Sequence, residues 1–194
     1  MPDPAPMHEH ALSNLRYIRE AMERATAFTS IPGWGGVIIG ITAITTAVLA
    51  HPHAGTRRWL FTWLAEAVVA GALALITMLL KARRAGVSFR GGPARRFFIT
   101  YFAPIVAAAA LTAVLGHSGI YAPLPALWLL LYGASFISSG AYSIPVVPVM
   151  GACYMLLGLI ACFVSPPVGN ALVGAGFGGL HVVFGFIIAR RYGG

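Results

Sequence analysis

Six runs of apolar residues, joined by short connections, fill most of this 194-residue chain. They lie near residues 34–50, 59–80, 97–116, 121–139, 145–164 and 170–189. A helix needs roughly 20 apolar residues to cross the hydrocarbon core of a bilayer. A mean hydropathy of +0.81 with only 9% charged residues also excludes an ordinary soluble domain. We therefore predict an all-α, polytopic membrane protein whose residues 34–194 form one domain of six transmembrane helices.

Residues 1–33 have a different composition and are predicted to form an N-terminal arm. Apolar residues recur at steps of three and four over residues 12–28, and opposite charges stand four residues apart on the other side. This segment is too short and too charged to cross a membrane. We expect an amphipathic helix that lies on the cytoplasmic membrane surface or caps the helix bundle.

The net charge of +8 is concentrated in the loop between the second and third runs. That loop contains six basic residues and no acid: Lys81, Arg83, Arg84, Arg90, Arg95 and Arg96. Cytoplasmic loops of membrane proteins carry such an excess of Lys and Arg. The chain is therefore predicted to lie in the bacterial inner (cytoplasmic) membrane with both termini cytoplasmic. The basic loop suits anionic lipid headgroups, so the bilayer is the expected partner and nucleic acid is not.

Two ionisable side chains lie deep inside the apolar runs. Glu66 is the only carboxylate side chain in residues 24–194, and it stands within the run from Trp59 to Leu80. His181 stands within the sixth run. A charged group at the centre of a membrane costs about 2.5–3.5 kcal/mol on insertion scales, so such residues are functional candidates by default.

In a regular α-helix, Gly174, Gly178, His181 and Gly185 would share one stripe, because they follow at steps of four, three and four. The space beside the glycines has two possible uses. Another helix can approach closely, as the small-xxx-small pattern of Gly174 and Gly178 allows. Alternatively, a flat haem b can lie there with His181 as the axial ligand of its metal, in a pattern that resembles a haem-ligating helix of membrane b-type cytochromes.

Four residues are possible partners for His181. Tyr154 and Met155 of the fifth run fall at the same depth, and methionine or tyrosine can act as a second axial ligand. His181 of a second subunit is the alternative, if the stripe lies on the two-fold axis of a homodimer. Glu66 differs from His181 by about one helical turn in height, so it can fix the imidazole tautomer if the helices touch. The competing interpretation makes Glu66 a carboxyl that accepts a proton.

Both ends of the chain resemble a bacterial inner-membrane family of unknown function. The first matching stretches are Leu15-Arg16-Tyr17-Ile18-Arg19-Glu20, Met22-Glu23-Arg24 and Pro32-Gly33-Trp34-Gly35-Gly36. The closing ones are Gly179-Leu180-His181-Val182-Val183-Phe184-Gly185 and Ile187-Ile188-Ala189-Arg190-Arg191. The resemblance implies a single six-span unit and brings no activity with it.

From the sequence we predict a homodimeric membrane haem-binding protein for electron transfer or for haem or redox sensing. Its predicted cofactor-binding residues are His181, Gly174, Gly178, Gly185, Tyr154, Met155 and Glu66. The first alternative is a small proton-coupled transporter or channel that uses Glu66, with His181 as relay. The second is a non-catalytic membrane protein that docks a partner on its amphipathic helix. An enzyme is not expected, because no hydrolase or transferase constellation is present.

Overall fold

The structure is a computed structural model that describes Asn14 and residues 28–85 and 92–193. The predicted N-terminal arm and its amphipathic helix therefore lie almost wholly outside the described residues. Six helices follow in the described part: α1 (Gly33–Ala50), α2 (Arg57–Ala85), α3 (Gly92–His117), α4 (Leu124–Gly140), α5 (Val146–Ala161) and α6 (Pro166–Tyr192). An isolated bridge between Phe28 and Ser143 is the one β contact among the described residues. The predicted all-α class is confirmed for that part of the chain.

Four of the helices, α1, α2, α3 and α6, are long and apolar enough to cross a membrane. The apolar helices α4 and α5 have only 17 and 16 residues. At 1.5 Å per residue they are about 25 Å long, against a hydrocarbon core of about 30 Å. Prolines shorten them: Pro123 and Pro125 stand at the start of α4, and Pro145 caps α5. The bounds of all six helices agree with the predicted runs within a few residues, but six membrane crossings remain a prediction.

The helix α6 is not uniform. It begins as an α-helix over Pro166–Val173, continues as a π-helix over Gly174–Leu180 and returns to an α-helix at His181–Tyr192. A π-helix bonds residue i to residue i+5 and so has more residues per turn. The predicted stripe assumed a period of 3.6 residues throughout, so the π segment changes how His181 is oriented relative to the glycines before it.

Glycines allow α1 and α6 to pack in an antiparallel pair with their backbones in contact. A Cβ atom placed on Gly40 would lie 2.6 Å from the carbonyl oxygen of Gly178, and one placed on Gly185 would lie 2.8 Å from that of Gly33. Such distances are too short for any side chain. The first and last helices are therefore held together by backbone contact, which small residues permit in membrane helices.

A second close pair is formed by the short helices α4 and α5. A Cβ atom on Gly133 would lie 2.7 Å from the carbonyl oxygen of Gly151, and the reverse contact has the same length. Farther along, Gly140 lies against Pro148. These two helices make the most extensive contact among the described elements and form an antiparallel hairpin beside α6.

The helices α2 and α3 lie at the sides of this core. Along most of their length α2 packs on α1 and α3 packs on α4, and in the described residues α2 and α3 do not pack extensively on each other. They approach where a Cβ atom on Gly116 would lie 3.0 Å from the side chain of Leu60. A cleft therefore runs between two helices that are neighbours in the sequence.

The bundle has two ends, which we name after the residues they carry. The Lys81 end contains the start of α1 and the end of α6, where the Lys81 Nζ donates hydrogen bonds to the carbonyl oxygens of Ile31 (2.9 Å), Tyr192 (3.2 Å) and Gly193. This cation also faces the negative end of the α6 dipole. The Arg57 end contains Arg57 and His117.

We predict that Gly151→Ala destabilises the protein, because its methyl group would collide with the backbone of Gly133. Overpacking of this kind costs about 1–3 kcal/mol. The matched control is Gly71→Ala, since a Cβ atom there meets nothing within 4 Å. The control should be neutral or stabilising by about 0.5–1 kcal/mol through helix propensity. Thermal unfolding in detergent, followed by circular dichroism, measures both, and equal melting temperatures for the two variants would contradict the packing argument.

Candidate functional site

The cleft between α2 and α3 is a cavity of about 1060 Å³. Its two walls are α2 and α3, and its floor contains residues of α1, α4, α5 and α6, among them Ile39, Tyr132, Met150 and His181. The lining is overwhelmingly apolar. Its volume lies at the upper end of the range for small-molecule sites, which is about 300–1,000 Å³.

Small residues face each other across the middle of the cleft. The wall from α2 presents Ala67, Ala70, Gly71 and Ala74, and the wall from α3 presents Ala108, Ala109 and Ala113. Larger lining residues, Leu75 on α2 and Phe102 on α3, are about half exposed, at 59% and 50%. The cleft is therefore open along its side, in the direction in which a bilayer would surround the helices.

His181 lies buried at the floor of the cleft with a tyrosine on each ring nitrogen. Its Nδ1 is 2.7 Å from the hydroxyl of Tyr154 on α5, and its Nε2 is 3.1 Å from the hydroxyl of Tyr132 on α4. The Tyr154 hydroxyl also donates to the carbonyl oxygen of Gly176, at 2.7 Å. The last of these bonds joins α5 to the π segment of α6. One histidine thus connects three helices.

These contacts determine the tautomer of a neutral His181. The single hydroxyl proton of Tyr154 is used on Gly176, so the Tyr154 oxygen must accept a hydrogen bond from Nδ1–H. The Nε2 atom then carries no proton and accepts a hydrogen bond from the hydroxyl of Tyr132.

The predicted partners of His181 have different outcomes. Tyr154 contacts the imidazole directly, as its depth suggested. Met155 packs against Gly133 of α4, because a Cβ atom placed on Gly133 would lie 2.7 Å from the Cγ atom of Met155. Met155 does not line the cleft, and the methionines that do are Met78 and Met150.

The predicted glycine stripe is used for helix packing. Gly174 lies against Ala47, Gly178 against Ile44, and Gly185 against the start of α1. Of the two uses predicted for the space beside these glycines, close approach of another helix is what the structure contains. The face on which a flat cofactor or a second subunit was expected is filled by α1.

Glu66 lies on the wall of the cleft and is held by α1. Its Oε1 accepts a hydrogen bond from Thr42 (2.8 Å) and its Oε2 accepts one from Thr46 (3.2 Å). The side chain is 9% exposed. Glu66 and His181 both line the cleft, but each is bonded to other residues, so the predicted pairing of the two is absent from this structure.

Sequence reasoning missed three groups of polar residues. Thr42 and Thr46 stand four residues apart in an apolar run, a spacing that does indicate one face of a helix.

Asn170 is the one asparagine after residue 14, and it is 1% exposed. Its Oδ1 accepts hydrogen bonds from the indoles of Trp59 (2.8 Å) and Trp63 (3.0 Å), and its Nδ2 donates to the carbonyl of Ala47. Tyr132 gave no signal, because nothing in its local sequence points to His181.

Haem binding at His181 requires a change from this conformation. Both ring nitrogens are already hydrogen-bonded, so an iron ligand requires Tyr132 to leave Nε2. The described residues contain no group of three or more histidine, cysteine or acidic side chains that would hold a bare metal ion. His181 and Tyr132 both line the cleft.

No family model, curated protein or solved structure matches this chain. The resemblance of the two chain ends to a bacterial membrane family therefore stays a prediction. The functional argument rests on the geometry of the cleft and of the residues in it.

We predict that His181 carries its proton on Nδ1. Nitrogen-15 NMR of histidine-labelled protein measures the tautomer, and a His181→Gln variant assigns its signals. Tyr132→Phe removes the donor to Nε2 and should shift the signal of that atom with little change at Nδ1. A signal for Nε2–H in the wild-type protein would contradict the arrangement of the two tyrosines.

Proposed function

We propose that this protein is a membrane protein that binds an amphiphilic molecule of the bilayer in the cleft between α2 and α3. The observation that carries the proposal is an apolar cavity of about 1060 Å³ that opens sideways between two helices long enough to cross a membrane. Molecules with hydrocarbon chains are the solvent on that side. Because the walls are lined with small residues, the cleft offers such a chain more room than a smooth helix surface does.

The proposed arrangement in the membrane extends the same argument. The start of α1 packs against the end of α6, so the start of α1 and the end of α6 both belong to the Lys81 end. Seven basic residues of the described part lie toward that end: Lys81, Arg83, Arg84, Arg95, Arg96, Arg190 and Arg191. The Arg57 end carries two arginines, Arg57 and Arg58. The positive-inside rule supports six crossings with the Lys81 end in the cytoplasm.

Identification of the bound molecule tests this proposal. Protein purified in mild detergent should retain an amphiphile, which extraction and mass spectrometry identify and quantify. The variant Gly71→Leu places a larger side chain at a position that lines the cleft and where a Cβ atom meets nothing within 4 Å. It should reduce the retained amphiphile severalfold while the protein stays folded.

The matched control is Ala72→Leu, one residue along the same helix, where the side chain is exposed and does not line the cleft. This control should retain as much amphiphile as the wild-type protein. Equal retention by Gly71→Leu and Ala72→Leu would show that bound lipid lies on the general surface and would remove the basis of the proposal.

Haem binding for electron transfer or sensing is the second candidate, because His181 lines the same cavity. Absorption spectra of oxidised and dithionite-reduced protein, prepared with haem supplied, test it. A Soret band with reduced α and β bands is expected, absent in His181→Ala. The bands should be stronger in Tyr132→Phe, since this change frees Nε2. A colourless protein in all three cases would exclude haem.

Two further functions predicted from the sequence remain predictions. Transport coupled to Glu66 is compatible with the position of that carboxyl on the cleft wall. Docking of a partner on the N-terminal helix involves residues outside the described part. Neither has a contact in the described residues that favours it over ligand binding.

A further inference from the structure

The Arg57 end of the cleft is basic. Arg57 on α2 and His117 on α3 both line the cleft, and the Arg57 guanidinium lies over the ring of Phe61 at 5.4 Å. Arg58 and the histidines His51 and His53 stand nearby in the sequence. The mouth of the cleft thus carries the positive charge of a guanidinium on one wall and an imidazole on the other.

This positive charge has no counter-charge among the described residues. Their one carboxylate side chain is Glu66, nine residues along α2 from Arg57, or about 13 Å at 1.5 Å per residue. Both oxygens of Glu66 are already bonded to threonines. Arg57 is also the first residue of α2, and the first turn of this helix contains no acidic residue. A cation at that end of a helix dipole is unfavourable, and an anion there would offset this.

The length of the cleft indicates what kind of molecule would carry an anionic group to the Arg57 end. Lining residues extend along α2 from Arg57 to Met78, which is about 31 Å at 1.5 Å per residue. An acyl chain of one leaflet reaches only half of a hydrocarbon core of about 30 Å. The contact of Gly116 with Leu60 narrows the Arg57 end, so a small headgroup fits better than a bulky one.

We propose that the cleft binds a long-chain polyprenyl phosphate, with its phosphate monoester at Arg57 and His117 and its single chain along Gly71 toward Met78. This assignment rests on the proposed function and gives it a ligand class. Arginine donates charge-assisted hydrogen bonds to phosphate oxygens, and a histidine N–H can donate another hydrogen bond. The branched chain lies between the alanines and glycine of the two walls.

The test is native mass spectrometry of the full chain titrated with three probes: undecaprenyl phosphate, undecaprenol and dioleoyl phosphatidylglycerol. The phosphate should bind once per chain and more tightly than both other probes. Arg57→Gln should weaken it by about tenfold to a hundredfold, the range for a hydrogen bond to a charged group. Arg58→Gln is the matched control, because Arg58 does not line the cleft, and it should bind nearly as the wild type does.

Other outcomes separate this assignment from the proposed function. If undecaprenol or phosphatidylglycerol binds as tightly as the phosphate, and Gly71→Leu abolishes binding, then the cleft holds a lipid and the polyprenyl phosphate is wrong. Equal losses in Arg57→Gln and Arg58→Gln indicate general surface charge and also overturn it. If Gly71→Leu leaves all binding unchanged, the cleft is not the site and both proposals fail.

Discussion

Backbone contact between α1 and α6 is the constraint on which the remaining structure depends. Gly33, Gly40, Gly178 and Gly185 let the first and last helices approach until carbonyl oxygens occupy the space where side chains would stand. Inside a membrane, association of helices gains little from the hydrophobic effect, so it depends on close packing and on hydrogen bonds between helices. This pair brings the start of α1 and the end of α6 together and provides the surface on which α2 and the α4–α5 hairpin pack.

Hydrogen bonds across that surface join the outer helices to the pair. Asn170 binds two indoles of α2, Glu66 is bonded to two threonines of α1, and His181 is bonded to tyrosines of α4 and α5. Each of these three side chains is paired, and an unpaired one inside an apolar interior would be costly. His181 is the clearest case, since its two ring nitrogens set the orientation of α6 relative to both helices of the hairpin.

The cleft forms because the outer helices α2 and α3 pack mainly on other helices. The helices α2 and α3 are consecutive in the sequence, yet α2 packs on α1 and α3 packs on α4. Small side chains on the facing walls leave the space between them open, while Leu60 and Gly116 narrow the Arg57 end. The same arrangement leaves Arg57 and His117 on opposite walls at one mouth. The cleft therefore has an apolar interior and a basic entrance, and its two walls are helices that pack mainly on other helices.

Much of the fold was determined by the sequence itself, because local composition decides which segments are helical and apolar. The six runs, the prolines that start α4 and α5, and the unusual depth of Glu66 and His181 were all visible without a structure. The partners of these residues were not, since they depend on which helix faces which. Tyr132 lies 49 residues before His181 and bonds to it, and the glycines of α6 hold α1 instead of an open face for a cofactor. A π segment also interrupts the period of 3.6 residues from which the stripe was predicted, and only tertiary packing decides where such a segment forms.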